Sequence, residues 1–159
     1  MKELIFRTRI NIYHTSELPS EYKELEAIVR ELPRLAYAPY SHFNVGAAVL
    51  LENGNIVTGT NQENIAYPSG LCAERVALFS VGSLHPNIPA KAIAIAAETG
   101  GKRVEMITPC GACRQVMLET QNRSGVPLVV LLCGPELVYV AEDARALLPL
   151  SFDGWNLPD

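Results

Sequence analysis

Thr108-Pro109-Cys110-Gly111-Ala112-Cys113-Arg114-Gln115 is the stretch on which the reading turns, together with an earlier partner, Gly70-Leu71-Cys72-Ala73-Glu74-Arg75. Three of the four cysteines fall in these two segments. A C-x-x-C pair that opens a helix puts both sulfurs on the first turn, at about 3.6 residues per turn, so that they can face one ion. Cys72, two residues before Glu74, can add a third sulfur beside a carboxylate. Three protein ligands leave a tetrahedral zinc with an open corner, which is what separates a catalytic zinc from a closed structural one. The chemistry to expect is water activated by a metal.

Spacing alone leaves blander readings open, because an isolated C-x-x-C is more often a structural zinc half-site or a redox pair. A structural site needs a fourth ligand. Cys133 follows the apolar run Val129-Val130-Leu131-Leu132 and reads as a small buried core residue. His14, His42 and His85 have no metal-like spacing to one another or to the cysteines. Taken together, Cys72-Ala73-Glu74 and Pro109-Cys110-Gly111-Ala112-Cys113-Arg114-Gln115-Val116 resemble the cytidine deaminase family, one of the zinc deaminases whose signature sets Glu two residues after the first ligand and then P-C-x-x-C. The likeness extends to Ala38-Pro39-Tyr40-Ser41-His42-Phe43-Asn44-Val45-Gly46-Ala47-Ala48-Val49 and Gly59-Thr60-Asn61-Gln62-Glu63-Asn64, and so covers about residues 37–152. Four motifs in the right order are far more specific than any one of them. Thr60, where many relatives carry cysteine, and Asn44, not the commonest residue after the phenylalanine, depart from the pattern without touching the proposed chemistry.

Composition narrows the class of substrate. A chain of 159 residues fits one domain, residues 1–159, with residues 1–19 as an N-terminal extension. Hydrophobic residues make up 48% and charged residues 19%, with a net charge of -4, ordinary for a soluble globular protein. Such a chain lacks the clustered Lys and Arg that long nucleic acids require. That favours a small neutral substrate. No apolar run approaches the roughly 20 residues that cross a bilayer, and no basic start precedes an apolar signal core. Unpaired cysteines at ligand spacing agree with a reducing compartment, so the expected location is the cytoplasm.

Periodicity gives the elements. Residues 3–13 alternate, with Leu4, Phe6, Thr8, Ile10 and Ile12 on one side, which predicts a half-buried strand at a sheet edge or one exchanged with another subunit. Ser20 is placed to cap a helix through Leu32 that Pro33 ends or kinks. Residues 45–51 and 56–60 read as strands joined by Asn53-Gly54, a type I′ hairpin signal. Helices are expected over 71–80 and 111–120, strands over 91–97, 126–133 and 137–141, and a last short helix capped by Asp143. Alternation of strands and helices predicts an α/β layered domain. The family resemblance implies a three-layer α-β-α sandwich around a five-stranded mixed sheet, with the N-terminal strand as an extra.

The same resemblance assigns roles. Cys72, Cys110 and Cys113 hold one zinc per chain, Glu74 is the catalytic acid and base, and Arg75 hydrogen-bonds to the cysteine sulfurs. The implied reaction has hydroxide attack C4 of the base while Glu74 carries a proton to N3 and then to the departing amine. Cytidine or 2′-deoxycytidine becomes uridine or 2′-deoxyuridine, ammonia leaves, and the step belongs to pyrimidine salvage. Asn61 and Glu63 match residues that bind a ribose hydroxyl, and Phe43 matches the aromatic wall of the base. Tyr40, Tyr67 and Phe152 match positions near the active site or subunit contacts. Arg114 reads as structural. The short chain resembles the small homotetrameric branch. Two other functions remain: a deaminase of aminopyrimidine nucleosides such as blasticidin S, which Asn61 and Glu63 argue against, and a non-catalytic zinc-binding module, which has no need of Glu74. No residue plainly reads the 2′ position of the sugar.

Overall fold

A computed structural model describes residues 1–153. Its described strands are β1 (Asn11–His14), β2 (Phe43–Leu51), β3 (Ile56–Thr60), β4 (Ala90–Thr99), β5 (Lys102–Arg103), β6 (Val129–Cys133) and β7 (Leu137–Ala141). Its α-helices are α1 (Ser20–Glu31), α2 (Ala73–Leu84) and α3 (Gly111–Ser124). The sheet runs β1-β7-β6-β4-β2-β3, with β5 pairing β4 outside that order. β4 and β6 are parallel and every other pair is antiparallel. The five expected central strands are all present. The seven-stranded count differs from five by β1, the expected extra strand, and by the two-residue β5.

Strand alternation builds the layers. In β4, Ala92, Ala94 and Ala96 face Leu25, Val29 and Leu32 of the α1 side, while Ile93 and Ile95 face Ala77, Leu78 and Met117 of the α2 and α3 side. β6 repeats the division, with Leu131 and Cys133 toward α1 and Val130 and Leu132 away from it. The small alanine face lets α1 lie close, and the isoleucine face fills the deeper layer. Ile95 is fully buried, and cutting such a residue to alanine costs roughly 2–5 kcal/mol. Cys133 is a core residue as expected, its thiol pushed up to about 12 by burial.

Several local expectations need correction. β1 holds only Asn11–His14, and residues 1–10 form no regular element. Its inward residue is Tyr13, packed on the α1 core, while Ile12 faces outward at 59% exposure, the reverse of the expected phase. β1 pairs with β7 of its own chain and is an edge strand. Ser20 is the first residue of α1 rather than its cap, since Pro19 occupies the cap position with no side-chain bond. Pro33 does end α1, in a 3-10 turn over Leu32–Leu35. In the β2–β3 hairpin only Gly54 takes a positive φ, +86°, and its N–H bonds to Leu51 O at 3.0 Å. Leu51 N–H in turn bonds to Asn55 O at 2.9 Å. The connection is therefore a three-residue loop with a left-handed glycine, not a type I′ turn. α2 and α3 both run four residues beyond their expected ends, to Leu84 and to Ser124 before the left-handed cap Gly125. The last expected helix is a 3-10 turn, Ala144–Leu147, whose cap Asp143 accepts from Arg145 N–H.

Topology explains why distant cysteines meet. β3 and β4 are both antiparallel to β2, so both run the same way, and the helices that follow them both start at one end of the sheet. Gly59 lets α2 sit against β3: a Cβ there would lie 2.6 Å from Ala77 N and 2.8 Å from Ala73 O. Any side chain at that position would push the Cys72 end of α2 outward.

Candidate metal centre and substrate cleft

Cys72 and Cys110 occupy the N-cap positions of α2 and α3, and Cys113 lies in the first turn of α3. Free N–H groups and the positive end of the helix dipole favour thiolates at these positions. The Cys72 and Cys110 sulfurs are 3.9 Å apart and those of Cys110 and Cys113 are 3.5 Å apart. All three lie within 4.8 Å of one another and are the metal-ligand cluster found among the described residues. Zn–S bonds of about 2.3 Å at tetrahedral angles separate sulfurs by about 3.8 Å, so the trio fits zinc with small adjustments. Three sulfurs leave one corner of that tetrahedron to a non-protein ligand.

Charge is distributed unevenly here. Hydrogen bonds from Cys113, Arg75 and Cys110 hold the Cys72 thiol down at about 5, against its burial. Cys113, as the donor to Cys72 and itself buried, is pushed well above the usual thiol range. Arg75 Nη2 lies 3.7 Å from Cys72 Sγ, while its buried Nε has no partner among the described residues. Glu74 sits in the first turn of α2 and is 4% exposed. Burial pushes its carboxyl pKa up, and the adjacent Cys72 charge adds to the effect. A carboxyl so placed holds a proton at higher pH than an exposed one. Arg114 is structural, its Nε donating to Pro109 O at 2.9 Å and its Nη1 to Leu147 O at 3.0 Å. That clamp fixes the loop leading into Cys110.

A cleft of about 470 Å³ adjoins Cys72, lined by Tyr40, Ser41, Asn61, Gln62, Glu63, Asn64, Tyr67, Gly70, Leu71 and Cys72. Glu63 and Asn61 are both on its wall. Glu63 Oε2 accepts from Tyr40 N–H at 2.8 Å and from Ser41 N–H at 3.3 Å, and Oε1 accepts from the Ser41 hydroxyl. The Ser41 hydroxyl and the Tyr40 amide hold the Glu63 carboxyl below its ordinary value of 4.5. Asn61 Oδ1 accepts from Val45 N–H at 2.7 Å and its Nδ2 donates to Phe43 O at 2.9 Å. This amide therefore braces the start of β2, with one N–H and one lone pair left over. A larger recess, about 860 Å³ between residues 6–10 and 142–149, lies away from the cysteines.

The aromatic candidates divide. Tyr40 and Tyr67 meet edge to face, 5.8 Å between ring centres, at the cleft mouth. Phe43 is half-buried at the start of β2 and is not among the cleft-lining residues. Phe152 is 72% exposed, tied to α3 through its carbonyl, which accepts from Gln115 Nε2 at 2.6 Å. Sequence reasoning assigned no role to Ser41 or Gln115. Gln115 carried a weak signal, two residues after a ligand. Ser41 lay within the Ala38–Val49 motif, but its contact with Glu63, 22 residues away, left no local signal.

Comparison with known proteins gives the same picture. The family model of the cytidine and deoxycytidylate deaminase zinc-binding region matches residues 19–130. A cytidine deaminase of Sporosarcina psychrophila is 44% identical over 104 residues, 65% of this chain and 73% of that protein. One from Halalkalibacterium halodurans is 50% identical over 84 residues, 53% of this chain and 60% of that protein. The crystal structure of cytidine deaminase from Burkholderia pseudomallei superposes with a TM-score of 0.69 at 40% identity, covering 81% of this chain and 97% of that one. A sheet order, a sulfur trio and four motifs thus converge, and the chain belongs to the cytidine and deoxycytidylate deaminase family, with the family's zinc-binding region.

Proposed function

We propose that the protein catalyses hydrolytic deamination of cytidine and 2′-deoxycytidine, releasing ammonia and the matching uridine. The observation that carries this reading is a buried carboxyl, Glu74, two residues after Cys72 of a sulfur trio at zinc spacing, with Cys72 itself on the wall of an open cleft. Cys72, Cys110 and Cys113 would hold one zinc, which supplies the Lewis acidity that brings water to a pKa of about 7. Glu74, with its raised pKa, takes a proton from the attacking water, delivers it to N3 of the base and then protonates the leaving amine. Glu63 and Asn61 orient the sugar through a hydroxyl that donates to the carboxylate. Phe43, half-buried at the start of β2 and outside the cleft lining, is the candidate wall for the base on the family likeness alone.

The lining of the cleft also argues for a nucleoside over a nucleotide. Among the described residues the lining has no Lys, Arg or His, and it carries the Glu63 carboxylate. A phosphate there would meet a like charge. Tyr40 and Tyr67 stand 44% and 75% exposed, a rim that a neighbouring subunit would close, and a homotetramer is the assembly this reading carries. Its place is pyrimidine salvage in the cytoplasm, where thiols stay reduced. Loss of cytidine absorbance and release of ammonia on adding the protein test the activity, run beside 2′-deoxycytidine, CMP and blasticidin S. Turnover of the two nucleosides and not of CMP is expected. Absence of ammonia from both nucleosides rejects the deaminase reading, and preferential turnover of blasticidin S assigns the other branch. Light scattering on the purified protein checks the tetramer.

A further inference from the structure

Resting on the deaminase reading above, we infer that Ser41 is a positioning residue for the substrate, holding the Glu63 carboxylate in the one orientation that leaves a lone pair turned toward the sugar. The hydroxyl of Ser41 bonds on both sides. It donates to Glu63 Oε1 and accepts from Phe43 N–H at 3.1 Å. One side chain thereby links the residue proposed to read the sugar to the residue proposed to wall the base. Its own N–H and that of Tyr40 converge on the other carboxylate oxygen.

The surrounding backbone is built to keep this arrangement. Tyr37 N–H bonds to Asn61 O at 3.0 Å and Glu63 N–H bonds to Tyr37 O at 2.8 Å, so residues 61–63 are zipped to the chain just before the serine. His42, at φ 54°, takes the left-handed conformation between Ser41 and the start of β2. An ionised carboxylate has about four lone-pair sites. The Tyr40 amide, the Ser41 amide and the Ser41 hydroxyl occupy all but one of them, and the remaining site is defined by exclusion. Without the hydroxyl, the carboxylate is held through Oε2 alone, so the terminal torsion, which is broad for glutamate, is less firmly fixed at Oε1. The sugar hydroxyl would then meet a mobile acceptor, weakening binding while leaving the sulfur trio and Glu74 untouched.

Ser41→Thr and Ser41→Val have nearly the same shape and differ by the hydroxyl, so their comparison is the test. For cytidine, Ser41→Val is expected to raise KM about tenfold or more over Ser41→Thr, the size seen when a hydrogen bond to a charged group is deleted. Zinc content should be equal by elemental analysis and kcat within about threefold, since the zinc-side chemistry is unchanged. In a Glu63→Gln background the two Ser41 variants should converge in KM, because the serine acts through that carboxylate. Equal KM for the two variants with Glu63 intact overturns the role, as does a difference that persists undiminished in the Glu63→Gln background. Should Ser41→Val fail to fold by circular dichroism, Ser41→Ala, which only removes the hydroxyl, carries the same comparison. Failure of the wild-type protein to deaminate cytidine at all would instead remove the reading on which this role rests.

Discussion

The two ends of the site are built differently. At the metal end, Glu74 and Cys113 are buried and every ligand sits at the N-cap or in the first turn of a long helix packed against the sheet. At the sugar end, Tyr40, Ser41 and Tyr67 are exposed and the working groups sit on loops cross-linked by hydrogen bonds. Rigidity comes from packing in the first case and from a polar network in the second. Atoms proposed to carry the chemistry stand on core elements, and atoms proposed to select the substrate stand where a partner or ligand can still reach them. This contrast makes separable predictions: changes at the metal end should act on turnover, and changes at the sugar end on KM.

The largest effect should come from Glu74→Gln. The amide keeps shape and zinc but cannot shuttle protons, so kcat should fall about 10²- to 10⁴-fold, the range attributable to general acid–base catalysis. Zinc content should be unchanged by elemental analysis, and undiminished ammonia release would take Glu74 out of the reaction. Cys110→Ala is the complementary break. It removes one of three ligands, and the purified protein should lose its metal together with its activity, while substrate-cleft variants keep both.

The same contrast governs what could be read from the sequence. At the metal end the C-x-x-C of Cys110 and Cys113 was legible as a local rule, while the assignment of Cys72, 38 residues away, as third ligand rested on the family resemblance. The layered α/β class was legible from the alternation of strands with helices and the three layers from the family resemblance; the sorting of Ala92 to Ala96 by face is seen in the structure. What failed depended on contacts far apart in sequence. Residues 3–13 alternate like a strand, yet only Asn11–His14 reach β7, and the Tyr13 contact with the α1 side, not the local pattern, sets which face is inward. Asn53-Gly54 suits two hairpin types, and only the loop's backbone bonds decide between them. The Ser41–Glu63 contact and the use of the Asn61 amide to brace β2 have no periodicity at all. Loop networks of this kind are set by tertiary structure.

Arg75→Gln tests the electrostatics of the metal end with a smaller change. Three thiolates around a divalent ion leave a formal charge of about -1, which opposes the acidification of water, and Arg75 donates to Cys72 to offset it. Removing that donor should lower kcat by about tenfold, with the measured value held down by solvent screening of a half-exposed guanidinium. KM should change less than kcat, because the guanidinium does not line the cleft. A variant equal to or faster than the wild type, with zinc retained, would show that the sulfur charge needs no such partner.

The smallest effect concerns protonation at the sugar end. Glu63 is held below 4.5 chiefly by the Ser41 hydroxyl and next by the Tyr40 N–H. A carboxyl whose folded pKa is depressed contributes its full stabilisation above the unfolded value and loses it as the pH falls through the folded one. The Glu63 clamp should therefore survive acidification to pH 4.5 and open only below that. Carbon NMR of the Glu63 carboxyl reads this directly, without needing turnover or bound metal. Ser41→Ala should move the titration upward toward 4.5, because the largest cause of the depression is gone, and should leave it short of that value because the amides at positions 40 and 41 remain. A titration unmoved by the substitution would mean that the backbone amides alone set the charge, and that the sugar end is as independent of its side-chain network as the metal end is.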